Sequence, residues 1–138
     1  MEVKRVSTHS FLPLTTTFII LTSMKEKPPS EPSAPSIEEM ELEIWAAEMG
    51  DPPKIDLHGQ IGHLALSELE TFVHQEMMNG TRVIKIVHGR GTGKMRTTVH
   101  EWLKKQKNAV LYFRDANSTG QIGGATFALL EEIRRASY

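Results

Sequence analysis

From Lys54 onward, short β-branched runs alternate with longer segments whose apolar residues recur every three or four positions. This pattern predicts strands at 54–58, 82–88, 109–115 and 125–133, and helices at 61–79 and 94–107. The first helix should bury Ile61, Leu64, Ala65, Leu69, Phe72, Val73 and Met77, and the second Met95, Val99, Trp102 and Leu103. The β-α-β-α-β-β order predicts an α/β fold, a two-layer sandwich of two helices on a four-stranded mixed sheet. Its first three strands should be parallel, and the fourth antiparallel, because the loop at 117–124 is too short for a helical crossover.

The composition changes near residue 50, since every proline lies at or before Pro53 and every glycine at or after Gly50. We expect a disordered tail and Pro/Ser-rich linker over residues 1–35, the folded domain over 51–133 and a short tail over 134–138. Between linker and domain, residues 36–50 predict an acidic amphipathic helix that begins with a Ser36/Glu39 capping box. Its two apolar strips indicate docking, either on its own domain or on a partner.

The apolar stretch HSFLPLTTTFIILTSM at residues 9–24 is interrupted by a proline and a run of three consecutive threonines. It is too short and too polar to span a bilayer. Lys4 and Arg5 precede it, as in a signal peptide, but no small-x-small cleavage pattern follows. We therefore expect a cytoplasmic protein with no membrane partner.

Charge is distributed unevenly along the chain, although the net charge is only −1. Residues 1–53 carry four bases against nine acids, whereas residues 54–138 carry twelve bases against eight acids. Between Arg82 and Lys107 there are eight bases and one acid. This excess indicates a phosphate-rich partner, with a solvated helix face as the alternative. The absence of cysteine excludes disulfides and thiolate catalysis.

The segment HGRGTGKMR at residues 88–96 is a basic glycine turn that leads into the second domain helix. It is not a Walker A loop, because His88 stands at the required first glycine and Met95 at the required Ser or Thr. The dinucleotide fingerprint also fails, since Lys94 takes the place of its last glycine. The turn can still hold a phosphate through backbone N–H groups at a helix N-terminus. The candidate nucleic-acid-binding residues are Gly89, Arg90, Gly91, Gly93, Lys94 and Arg96.

Three polar residues are expected beside this turn. Asp56 and His58 point to one side at the end of the first strand, and His88 ends the second. If these strands are parallel, their carboxyl ends lie side by side, where ligands bind in open α/β sheets. A carboxylate, an imidazole and an N–H-lined turn are components of a phosphodiester-cleaving site. Asp56, His58 and His88 are therefore the candidate catalytic residues, although each is also compatible with a structural role. His63, His74 and His100 are assigned none, and no residue is assigned as a metal ligand.

These motifs resemble those of the Smr domain, the small MutS-related module, over roughly residues 54–130. IDLHGQ matches its Asp-Leu-His-Gly motif, HGRGTG matches its His-Gly-x-Gly-x-Gly segment, and GQIGGATFAL matches its late glycine turn and last strand. The chain departs from the family at Gln60, Ile61 and Gly62, where a Ser or Thr commonly caps the first helix. The resemblance implies a fold like that of the C-terminal domain of translation initiation factor three.

The resemblance also implies nucleic-acid binding and, in several members, endonuclease activity that needs Asp56 and His58. The chain is similar to stand-alone bacterial members with an N-terminal extension, which cleave mRNA at stalled ribosomes. The primary interpretation is an endonuclease acting on RNA, with the ribosome as a further partner. It would require no cofactor, and a divalent metal remains an open alternative. The competing interpretations are a non-catalytic RNA- or DNA-binding module and a DNA-nicking enzyme of repair or recombination.

Overall fold

The computed structural model describes residues 33–133. The predictions for residues 1–32 and for the tail at 134–138 lie outside this range. The first element is helix α1 (Ile37–Met49), which begins with the predicted Ser36/Glu39 capping box and ends at Gly50. The remaining elements are β1 (Lys54–Asp56), α2 (Gly62–Met78), β2 (Val83–Val87), α3 (Lys94–Lys105), β3 (Val110–Asp115) and β4 (Ala125–Leu130).

The four strands form one mixed sheet in the order β1-β2-β4-β3. β1 and β2 are parallel, and β4 runs antiparallel to both β2 and β3. This confirms the predicted α/β fold and strand directions. Because β1, β2 and β3 run in the same direction and β4 runs opposite to them, the carboxyl ends of β1, β2 and β3 and the start of β4 all lie along one edge of the sheet, where the strands end. Asp56, Val87, Ala125 and Asp115 lie close to that edge.

One face of the sheet packs against α2 and α3, and this is where the larger core lies. Its buried residues include Leu57, Leu69, Ile84, Val99 and Leu103. The prediction for α2 was wrong at its first turn, because Ile61 is 63% exposed and Leu64 is 52% exposed. Both residues stand where the helix begins, and Ile61 lines an open cleft there.

Helix α1 covers the other face of the sheet, which adds a layer to the predicted two. Ile44 is fully buried against Val83, Phe127 and Leu129, with Met40 and Ala47 packed around them. Alternate residues of β4 therefore face opposite cores, and all six residues of this central strand are buried. Of the alternatives for α1, docking on its own domain is the one observed. Its second apolar strip, formed by Leu42, Trp45 and Met49, remains exposed.

Acidic side chains of α1 pair with basic groups of the sheet. Glu41 and Glu48 both bind Arg114, and Glu43 forms two hydrogen bonds to Arg82. Glu48 also accepts the backbone N–H groups of Asn117 and Ser118, at 2.7 and 2.8 Å. The acidic helix thus fixes the start of the loop between β3 and β4, which approaches the candidate site.

Candidate active site

Asp56 and His58 form a hydrogen-bonded pair at the end of β1. The carboxylate Oδ1 of Asp56 lies 2.9 Å from Nδ1 of His58 and accepts the backbone N–H of His58 at 3.0 Å. These hydrogen bonds, that from the backbone N–H first, lower the pKa of Asp56 below its ordinary value. The two side chains are 58% and 70% exposed respectively. An ionised Asp56 holds the proton of His58 on Nδ1, which leaves Nε2 as a base directed at solvent.

The second half of the site lies next to this pair, as the parallel pairing of β1 and β2 requires. The N–H of Leu57 donates to the carbonyl of Val87 at 2.7 Å, so pairing continues beyond β1. A Cβ added to Gly89 would lie 3.1 Å from the Cβ of His58. Gly89 has a φ of +77°. Only glycine readily adopts this positive φ and also leaves room for the side chain of His58. The prediction that the two His-Gly segments stand together is confirmed.

A cleft of about 380 Å³ opens between the two segments. Its lining residues are Gly59, Gln60, Ile61, Gly62, His88, Gly89, Arg90, Gly91, Thr92, Gly93, Lys94, Met95 and Thr98. Both α2 and α3 begin at this cleft. Neither helix has a side-chain cap or an acidic residue in its first turn. The uncapped N–H groups of two helices, together with an exposed lysine, favour an anion in the cleft.

The three basic residues of the turn differ in their contacts. Lys94 lines the cleft and is exposed. Arg90 also lines it, and its guanidinium donates to the carbonyl of Gly120 at 2.7 Å, in the loop between β3 and β4. Arg96 lies outside the cleft lining and binds the carboxylate of Asp115 through Nε and Nη2. The charge of Arg96 is therefore compensated locally, and its role in nucleic-acid binding stays a prediction.

His88 lies at the back wall of the cleft and is buried, with 3% of its surface exposed. Its Nδ1 lies 3.1 Å from the carbonyl oxygen of Gly89, and its Nε2 lies 2.8 Å from Oγ1 of Thr126. Burial lowers the pKa of His88 and favours the neutral ring. Both ring nitrogens of His88 thus have protein partners, so this side chain is placed to support the glycine turn. Its catalytic role stays a prediction, whereas His58 is the exposed imidazole.

A group of residues to which the sequence assigns no role surrounds His88. His100, from α3, places Nε2 at 2.9 Å from Oγ1 of Thr126 and 3.1 Å from Oδ1 of Asp115. Burial is also the main reason why the pKa of His100 is lowered. The pKa of Asp115 is lowered, chiefly by its hydrogen bonds from Arg96. The neighbouring backbone also holds the turn, because the N–H groups of His88 and Gly89 both donate to the carbonyl of Gly124, each at 3.0 Å.

The Smr domain model matches residues 55–131 of the chain. This match covers more than half of the sequence, and the chain belongs to the Smr domain family, a family of nucleic-acid-binding proteins and nucleases. Of the two motifs that carry the resemblance, the segment from His88 to Gly93 and Gly59 line the cleft, and His58 lies beside Gly89.

Known relatives include much longer bacterial proteins. The chain is 36% identical over 77 residues to endonuclease MutS2 of Aquifex aeolicus, covering 56% of this chain and 10% of the relative. It is 48% identical over 50 residues to endonuclease MutS2 of Maridesulfovibrio salexigens, covering 36% of this chain and 6% of that protein. The chain thus spans about a tenth or less of the length of these relatives.

Two solved structures share the fold. The Smr domain of Thermus thermophilus MutS2 superposes with a TM-score of 0.55 at 29% identity, covering 57% of this chain and 98% of that one. YdaL, a stand-alone small MutS-related protein from Escherichia coli, gives a TM-score of 0.57 at 22% identity, covering 80% and 91% respectively. Among the helices within residues 33–133, none is long and apolar enough to cross a membrane.

Proposed function

We propose that this chain is an endonuclease that binds RNA along the basic glycine cleft and cleaves it with His58 as the proton-transferring group. The observation that carries the proposal is the exposed Asp56–His58 pair, held against Gly89 at the mouth of a cleft where two helices begin. Its parts provide the two requirements of phosphodiester cleavage, a proton acceptor and stabilisation of negative charge.

The phosphate would bind at the two helix N-termini and near Lys94, where N–H groups and a cation can stabilise charge on a pentacoordinate phosphorus. His58 Nε2 would accept the proton of the 2′-hydroxyl while the 2′-oxygen attacks phosphorus and the 5′-oxygen leaves with a proton from solvent. The products are a 2′,3′-cyclic phosphate and a 5′-hydroxyl. Asp56 would orient the imidazole and stabilise its charged form. This route requires no cofactor, and a divalent metal at the exposed Asp56–His58 pair is the alternative it competes with.

Two variants and one matched control test the proposal. His58→Gln should lose about 10²–10⁴-fold in cleavage rate, the usual contribution of a placed proton-transfer group. Asp56→Asn should lose less, because the imidazole remains but its tautomer and orientation are no longer fixed. His63→Gln is the control, since His63 is an exposed histidine on α2 that does not line the cleft.

Binding of the same labelled RNA, measured by fluorescence anisotropy, should change little in all three variants. Equal cleavage by His58→Gln and His63→Gln would contradict the assigned chemistry. Binding by the well-folded wild type without cleavage of any RNA or DNA would favour a nucleic-acid-binding module instead. Cleavage of DNA but not of RNA would favour the nicking enzyme.

The narrower form of the proposal is a cytoplasmic enzyme that cleaves mRNA on stalled ribosomes. It rests on the resemblance to stand-alone Smr proteins with N-terminal extensions. Cosedimentation of the full chain with stalled and with vacant ribosomes tests it. If the protein sediments with neither particle, the ribosome is removed from the proposal, and the cleavage chemistry is left intact.

A further inference from the structure

We infer that His88, His100 and Asp115 form a binding site for a divalent transition metal, with zinc as the preferred ion. In the part of the chain that the structure describes, the ligand-competent atoms of these three residues all lie within 4.8 Å of one another. The site is distinct from the Asp56–His58 pair and does not depend on nuclease activity.

The three donor residues come from different parts of the fold and meet around a residue of a fourth element. His88 follows β2, His100 belongs to α3, Asp115 ends β3, and Thr126 of β4 lies between them. Nε2 of His100 is 3.1 Å from Oδ1 of Asp115, and the hydroxyl of Thr126 is 2.8–3.3 Å from a donor atom of each of the three. Zinc bound tetrahedrally at about 2.0–2.1 Å keeps its ligands roughly 3.4 Å apart. The donor atoms, at most 4.8 Å apart, must therefore close to this spacing around an ion, and the Thr126 hydroxyl between them must turn aside.

The surroundings of the donors match those of metal ligands. The carbonyl of Gly89 accepts from Nδ1 of His88, which fixes the proton there and leaves Nε2 as the lone-pair donor. Such a second hydrogen bond is the usual companion of a metal-bound histidine. Arg96 orients the carboxylate of Asp115 chiefly through Oδ2, while Oδ1 faces His100. To bind, His100 must carry its ring proton on Nδ1.

The chemistry of the donors selects the class of ion. Two imidazole nitrogens and one carboxylate oxygen suit zinc, and also cobalt and nickel, better than magnesium or calcium, which prefer all-oxygen sites. Because the ligands join the end of β3, helix α3 and His88, the residue before Gly89, a bound ion would clamp the base of the glycine turn. The expected consequence is a more stable fold rather than a new catalytic group.

The test uses the full chain after EDTA treatment and gel filtration. Zinc added in increasing amounts should bind one ion per chain by isothermal titration calorimetry. At a concentration of about 100 times the dissociation constant it should raise the melting temperature by roughly 10 °C. Cobalt bound in its place should show the visible absorption bands of a tetrahedral site.

Two ligand variants and two control variants locate the ion. His100→Gln and Asp115→Asn should each lose the calorimetric signal and the cobalt bands. His63→Gln, on the exposed face of α2, should retain them, and so should His58→Gln. Circular dichroism of the metal-free variants checks that each is folded, and Asp115→Asn retains a side chain that can accept from Arg96. Absence of zinc binding by the wild type would overturn the inference, as would binding that survives His100→Gln or is lost in His58→Gln. None of these three results would affect the proposed cleavage by His58, because cleavage is measured separately in EDTA.

Discussion

Replacing Gly89 by alanine tests whether the close contact between the two halves of the site controls its chemistry. The new Cβ would lie 3.1 Å from the Cβ of His58, whereas carbon atoms pack best at about 3.5–4.0 Å. The turn and His58 must therefore separate by several tenths of an ångström. Gly80→Ala is the matched control, because Gly80 has a φ of +81°, against +77° for Gly89, and a Cβ there has no neighbour within 4 Å.

The two variants should lose similar folding stability but differ in the position of His58. A non-glycine residue in the left-handed region costs about 1–2 kcal/mol, which lowers the melting temperature of a domain of this size by roughly 5–10 °C. This loss should be similar in both variants. Only Gly89→Ala displaces His58. Since a misplacement of about 1 Å can cost around 10²-fold in rate, a shift of a fraction of that should cost about tenfold.

The assay is single-turnover cleavage of labelled RNA below the melting transition of both variants, with affinity measured in parallel. We expect Gly89→Ala to cleave about tenfold more slowly than Gly80→Ala at comparable stability. The imidazole NMR signals of His58 should also shift in Gly89→Ala alone. Equal rates in the two variants would show that the position of His58 relative to the turn does not govern the reaction, and would refute this reasoning.

Two further predictions concern the α1 helix and the cleft. Glu48→Gln should lower the free energy of unfolding by about 2–3 kcal/mol in urea denaturation, because the nearly buried carboxylate binds Arg114 and two backbone N–H groups of the β3–β4 loop. Exposed Glu38→Gln should have little effect. Burial, the largest influence, raises the pKa of Glu48, but these hydrogen bonds outweigh it and the net pKa is lowered. Its stabilisation is therefore present above the ordinary glutamate pKa and lost as the pH falls through the lowered one, so Glu48→Gln should flatten the acid limb of the stability curve. Arg90→Ala combined with Lys94→Ala should weaken RNA binding and reduce the slope of log affinity against log salt by about 1.4, the value for two single-strand phosphate contacts. Removing the two lysines in the last turn of α3 should leave that slope nearly unchanged.

The sequence determined the fold and the juxtaposition of the two motifs because both follow from local patterns. β-branched runs and helical spacing locate β2 and α2 within a residue or two. Once β1 and β2 are known to be parallel, their ends must meet, which places Asp56 and His58 beside Gly89. The departure at Gln60, Ile61 and Gly62 likewise predicts the weak cap of α2, and Ile61 indeed supplies no side-chain hydrogen bond.

Local sequence patterns do not predict contacts between elements that lie far apart along the chain. Helical periodicity places His100 next to buried Val99 but does not show that it meets Asp115 and Thr126, which lie 15 and 26 residues further along the chain. The insertion of β4 between β2 and β3 creates that meeting, and strand order is a property of the whole sheet. The same limit applies to α1, since two apolar strips do not indicate which one packs against β4.

In the proposed reaction, the 2′-hydroxyl of the RNA attacks the neighbouring phosphate, and the imidazole of His58 beside the cleft accepts its proton. The most direct measurement is analysis of the product ends from a labelled RNA, with and without EDTA, and from a matched RNA carrying one 2′-deoxy residue at the cleavage position. We expect a 2′,3′-cyclic phosphate and a 5′-hydroxyl, little effect of EDTA, and no cleavage at the deoxy position. Cleavage of the deoxy substrate at the normal rate, abolished by EDTA, would contradict the proposed reaction and would assign cleavage to metal-assisted hydrolysis.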